Sequence, residues 1–226
     1  MTEVKKPLWT FMEDHFTAPR LHNYLMECKG DKGKAILLYR WNSELSAAFW
    51  ESIGYLEVAF RNRIDHQLTV RHLEHGRTGH WIFDDYFELG RDRTFSGNHR
   101  QPYLEINAAI NRVLNNGKEL SAGQIISEMS FGFWHQLVSK KQLYLWPDIV
   151  TGFPRLQGRS QGLITDLTQS IRATRNRIGH HHRIWAGDVD KNYSDLLTLA
   201  GFIDEDLREW ISMRSAVSEV LARRPQ

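Results

Sequence analysis

The sequence predicts an all-α protein: a helical bundle with a long second helix and an irregular aromatic insertion around residues 74–99. Three observations carry this. Apolar residues recur at steps of three and four over most of the chain, while the strict alternation of a half-buried strand is scarce. One such stripe runs without interruption from residue 35 to residue 71. No linker rich in Pro, Gly or Ser divides the 226 residues, so a single domain over 1–226 is expected.

The first short helix is expected from Pro19 to Lys29, with Leu21, Tyr24 and Leu25 on one face. Gly30-Asp31-Lys32-Gly33 then reads as a turn. The second helix carries Leu45, Phe49, Ile53, Leu56, Phe60, Ile64 and Leu68 as one stripe. At ~1.5 Å per residue it is roughly 50 Å long. Gly54 marks where a kink or break inside it would fall. Between Glu74 and His99 glycines interrupt aromatic and charged residues and no stripe runs through; its aromatic content argues against disorder.

Helical patterns resume at Pro102–Asn115. A run from Ser121 or Ala122 continues through Ile125 to Trp134, and another from Lys140 to Trp146 stops at Pro147. Ser160 suits the N-cap of a helix reaching Ile178, with Gly179 as its terminator or bend. A last helix begins at Asn192 or Ser194, passes Trp210 and Ile211 and extends toward Leu221, before a fraying tail. Trp134, Trp146 and Phe153 read as core.

Composition narrows the function classes. A net charge of +2 is too mild to announce a nucleic-acid binder by itself. The single cysteine, Cys28, excludes an internal disulfide and an all-Cys zinc site, which fits a reducing cytoplasm. The first sixteen residues lack the apolar core of a signal peptide, and no apolar stretch approaches the ~20 residues of a membrane span, so a cytoplasmic location off the membrane is expected. Histidine is more telling: there are 11, three of them consecutive.

Those three close the run Arg175-Asn176-Arg177-Ile178-Gly179-His180-His181-His182. Arg grips phosphate oxygens in a bidentate fork, and His moves protons near neutral pH. RNA supplies its own nucleophile, the 2′-OH, so its cleavage needs a base, an acid and a cation on the phosphate. Arg175, His180 and an orienting Asn176 are suited to that, with no metal or other cofactor. The spacing alone is common. On a straight helix five residues also turn the chain by roughly 140°, so Arg175 and His180 diverge unless the chain bends at Gly179 or pairs meet across a dimer axis. The triple His could suggest zinc, but three adjacent side chains point in different directions, so no metal site is expected.

The stretch from Ile171 to Trp185 resembles the signature of the Abi-like (abortive infection) branch of the HEPN superfamily: Arg-Asn, three residues, His-His, a basic residue, an aliphatic residue and Trp. Glu57 to Arg61 is similar to the acid-x3-Arg segment that such proteins carry early, and Ser127 to Trp134 to their Ser-Phe-Gly segment. Gly179 departs from the small Ala more usual there.

The resemblance implies a HEPN-type helical bundle that forms a homodimer with a composite active site. It implies a metal-independent endoribonuclease leaving 2′,3′-cyclic phosphate and 5′-hydroxyl ends, in phage defence or a toxin–antitoxin setting. Arg175 and His180 match its catalytic pair and Asn176 the polar residue beside it. Glu57 and Arg61, expected to pair with each other, would support the site and touch Arg175 or Asn176. Arg177, His181 and His182 are candidates for holding RNA, and a small non-coding RNA or an antitoxin is a partner the family allows.

Other readings stay open. One is a HEPN module that holds RNA without cutting it; another is a helical partner protein. Nucleotide transfer to a Tyr beside the motif would point to Tyr193. Arg61-Asn62-Arg63-Ile64-Asp65-His66 repeats five of six motif positions and suggests a second site, although Asp65 and His66 read better as a surface pair. Trp185 and the aromatics Trp81, Phe83, Tyr86 and Phe87 suit either base stacking or packing.

Overall fold

The computed structural model describes residues 6–225. The expectations for the first residues and for the frayed tail fall partly outside those bounds. Among the described residues there is no strand. The helices are α1 (Leu8–Phe16), α2 (Ala18–Glu27), α3 (Lys32–Glu74), α4 (Tyr103–Asn115), α5 (Ala122–Ser127), α6 (Phe131–Leu137), α7 (Trp146–Ile149), α8 (Gln161–Gly179), α9 (Val189–Ile203), α10 (Glu205–Arg214) and α11 (Val217–Ala222).

The long helix α3 is the axis of the molecule. Asp31 caps it, its carboxylate accepting the Lys34 N–H at 3.0 Å. The predicted stripe from Leu45 to Leu68 is fully buried. The helix packs against α1, α2, α6, α7, α8, α9, α10 and α11. Buried residues from Trp9 to Val220 form one connected cluster. With 43 residues α3 is ~65 Å long, so one apolar stripe can organise the bundle.

Several boundaries differ from expectation, each for a local reason. The long helix is third, not second, because Leu8, Trp9, Met12 and Phe16 form a short helix whose Trp9 and Met12 are buried. No break occurs at Gly54; α3 runs straight through it, since burial on both sides outweighs the loss of one side chain. The run from Ala122 to Trp134 divides because the Ser130 hydroxyl accepts the Phe133 N–H and starts α6 afresh. Pro147 sits in the first turn of α7 and so opens that helix rather than closing its predecessor. The last helical stretch starts earlier, at Val189 behind the Asp188 cap, and splits into three at Asp204 and Ser215.

The insertion after α3 is ordered by carboxylates. Asp84, buried and left-handed at φ 53°, accepts the N–H groups of Glu88, Leu89 and Arg91 at 2.7–2.9 Å. Asp92 does the same for Thr94, Ser96 and Asn98. Glu88 is gripped by Arg71 and Arg77. Trp81 is buried and donates to Asp65 at 2.7 Å. Asp65 is therefore no surface partner of His66; it anchors the insertion, and His66 alone is exposed.

Candidate functional site

The motif lies where α8 ends against the middle of α3. Ser160 caps α8, accepting the Leu163 N–H, and Ile164, Leu167, Ile171, Thr174 and Ile178 form its buried face. Arg175 stands at the edge of that face. Its Nε donates to Glu57 Oε2 at 3.3 Å, and its guanidinium carbon lies 5.4 Å from the centre of the Trp50 ring. Trp50 and Glu57 are seven residues apart, two turns of α3, and so share one face. Cation–π attraction and an ion pair together hold Arg175 between them. Its two Nη nitrogens take part in no hydrogen bond among the described residues.

The helix then closes. His180 N–H donates to the Asn176 carbonyl at 3.0 Å, His181 N–H to Ile178 at 2.8 Å and His182 N–H to Arg177 at 2.7 Å. The last two bonds form a Schellman closure, whose left-handed position normally holds Gly. Here it holds His181, at φ 55°. Gly179 is an ordinary last helical residue with open space where a Cβ would be. The bend thus falls two residues later than the sequence suggests. No hydrogen bond joins Arg175 to His180 within one chain. The rings of His180 and His182 instead lie 5.8 Å apart, both residues exposed, as is Asn176.

Three tethers fix this turn. Arg20, from α2, donates to the His181 carbonyl. Arg177 Nη2 folds back onto the Arg183 carbonyl. Buried Asn42, on α3, accepts the Ile184 N–H at 2.9 Å. Arg61 does not pair with Glu57, whose partner is Arg175; the Arg61 Nε is buried without a hydrogen-bond partner. The echo of the motif at Arg61–His66 lies in mid-helix and has no such turn. Trp185 packs on Tyr24 with ring centres 5.8 Å apart, between Arg183 and Arg224. No group of three or more His, Cys, Asp or Glu among the described residues is placed to hold a metal ion.

A family model described as Abi-like protein matches residues 8–186. The chain belongs to the Abi-like family. The match takes in α1 to α8 and the turn that follows, so the Trp50–Arg175–Glu57 arrangement lies within it, and the family name points to abortive infection. No curated protein and no solved structure matches the chain. In this Abi-like protein no helix among the described residues is long and apolar enough to cross a membrane.

Two contributors escaped the sequence. Trp50 is exposed on a helix otherwise read through its buried stripe; its spacing of seven from Glu57 is the one signal that could have flagged it. Arg20 reaches the motif across 161 residues of chain, and no local pattern announces that.

Proposed function

We propose that this Abi-like protein is a HEPN-type, metal-independent endoribonuclease acting in phage defence or a toxin–antitoxin setting. The observation that carries the reading is the posture of Arg175. Its Nε is anchored on Glu57 while the Nη fork remains free, and a free fork fits two oxygens of one phosphate. Anchoring beforehand means that little reorganisation is needed when charge grows on the phosphoryl oxygens.

In this reading the RNA 2′-oxygen attacks phosphorus and the bond to the 5′-oxygen breaks. His180 takes the 2′-hydroxyl proton or delivers one to the departing oxygen. Asn176 orients the group beside it, and His182, whose ring lies near that of His180, and His181 contact the RNA backbone. The products are a 2′,3′-cyclic phosphate and a 5′-hydroxyl. Because Arg175 and His180 do not meet within one chain, a homodimer supplying both proton carriers from two motifs completes the site. Glu57 supports the site by holding Arg175. Arg177 serves the turn through its bond to the Arg183 carbonyl.

The test is incubation with RNA in EDTA, comparing wild type with Arg175→Ala and His180→Ala and mapping the ends. Cleavage by wild type leaving cyclic phosphates, and its loss in both variants, is expected. Cleavage unchanged by both substitutions, or abolished by EDTA, would sink the proposal. The engagement of Arg175 by Glu57 also favours a second reading, a module that binds RNA without cutting it; RNA retention with intact RNA throughout would establish that instead.

A further inference from the structure

Beside the motif, residues of α1, α2, α3 and the end of α8 line a cleft of about 1070 Å³. Its lining includes the rings of Phe16, Tyr39 and Trp50, the basic groups of His15, Arg20 and His181, and one carboxylate, Glu51. Trp50 is 46% exposed and Phe16 38%, high values for rings this large. Phe16 and Tyr39 lie with ring centres 5.3 Å apart. Trp50 belongs both to this wall and to the clamp on Arg175, so cleft and clamp are contiguous.

We infer that this cleft takes an unpaired nucleobase of single-stranded RNA, next to the phosphate held at Arg175. The inference rests on the ribonuclease reading only for the position of that phosphate. Three features select this occupant. The space is just above the ~300–1,000 Å³ of small-ligand sites, enough for a splayed base with its sugar and far too little for a duplex. Its walls are aromatic, and every base has a π-face to stack on them. Arg20, His15 and His181 outnumber its one carboxylate, Glu51, which accepts the Tyr55 hydroxyl, and this balance suits the sugar–phosphate strand entering it. Bases inside an A-form duplex are stacked on one another and cannot enter such a cleft, whereas a splayed single strand can. The protein is therefore selective for single-stranded RNA.

The experiment uses a fluorescently labelled ten-nucleotide oligoadenylate, fully 2′-O-methylated so that no nucleophile for cleavage exists. Anisotropy measures its binding to the full chain, free or annealed to its complement. Binding at least tenfold tighter to the free strand is expected. Tyr39→Ala should weaken single-strand binding about tenfold, as loss of one stacking partner does, and Tyr39→Phe should restore it. Melting curves for both variants check folding, and Phe16→Ala, an exposed residue, serves as a second variant. Equal affinity for strand and duplex overturns the inference, as does unchanged affinity in both Tyr39→Ala and Phe16→Ala. If a second copy of the chain fills the cleft, Tyr39→Ala lowers the mass in light scattering and leaves RNA affinity unchanged, which also overturns it. Cleavage plays no part in this readout, so failure of the nuclease reading and failure of the base-binding reading separate cleanly.

Discussion

Arg175 on α8 is bonded to Glu57 on α3, Nε to Oε2, at 3.3 Å across 118 residues of chain. With Trp50 on its other flank it is a cation whose direction is set by two partners on one helix face. Removing Glu57 should therefore disturb chemistry more than stability. Glu57→Ala is expected to lower the initial cleavage rate about tenfold or more while changing unfolding free energy by under ~1 kcal/mol, the usual range of a part-exposed ion pair. Paired rate and denaturant measurements check it; a large stability loss with a normal rate per folded molecule would show Glu57 to be structural.

On the proposed mechanism His180→Ala removes the proton carrier without touching the tethers of the turn. Cleavage should fall by roughly 10²–10⁴, the usual contribution of a general acid or base, with an unchanged melting temperature.

His181 occupies a left-handed position, φ 55°, that a β-branched side chain resists. His181→Val should destabilise by about 1–2 kcal/mol, whereas His181→Gly should not destabilise. Equal melting temperatures for the two variants would contradict the assigned turn.

Glu88 lies between Arg77 and Arg71; the hydrogen bond from Arg77, then that from Arg71 and the two charges, bring its carboxyl down from the ordinary 4.5 to about 2 against the opposing effect of burial. A depressed carboxyl contributes stability that is fully present above about pH 4.5 and is lost as pH falls toward about 2. Glu88→Gln should cost roughly 1–2 kcal/mol at pH 7, discounted for the solvent that reaches the carboxylate. The gap between variant and wild type should close across that acid range in pH-dependent melting.

Gly54 lies on the exposed face of α3, with nothing within 4 Å of the place a Cβ would take. Gly54→Ala should raise stability by ~0.5–1 kcal/mol, because it removes backbone freedom from the unfolded chain in a place where the helix is unbroken and a Cβ has room. A loss of stability would mean that the helix bends there in solution.

The sequence by itself determined the helical class, the buried stripe of α3, the Ser160 cap of α8 and the motif on which the functional reading rests. These are readable because helical periodicity and capping are local: the residues that decide them lie within a turn or two of one another. The split of the last helices and the role of Pro147 were less legible, since they turn on single capping bonds rather than on a stripe. The sequence placed Glu57 near Arg175 or Asn176, but the tertiary structure alone decided that Glu57 takes Arg175 and leaves Arg61, that Asp65 anchors Trp81, and that Arg20 and Trp50 reach the motif. Each of these joins residues far apart in the chain, and which of several nearby partners a charge takes depends on how whole helices are packed. It also moved the bend from Gly179 to His181, because tethers from α2 and α3 hold a strained residue where the sequence offers a permissive one.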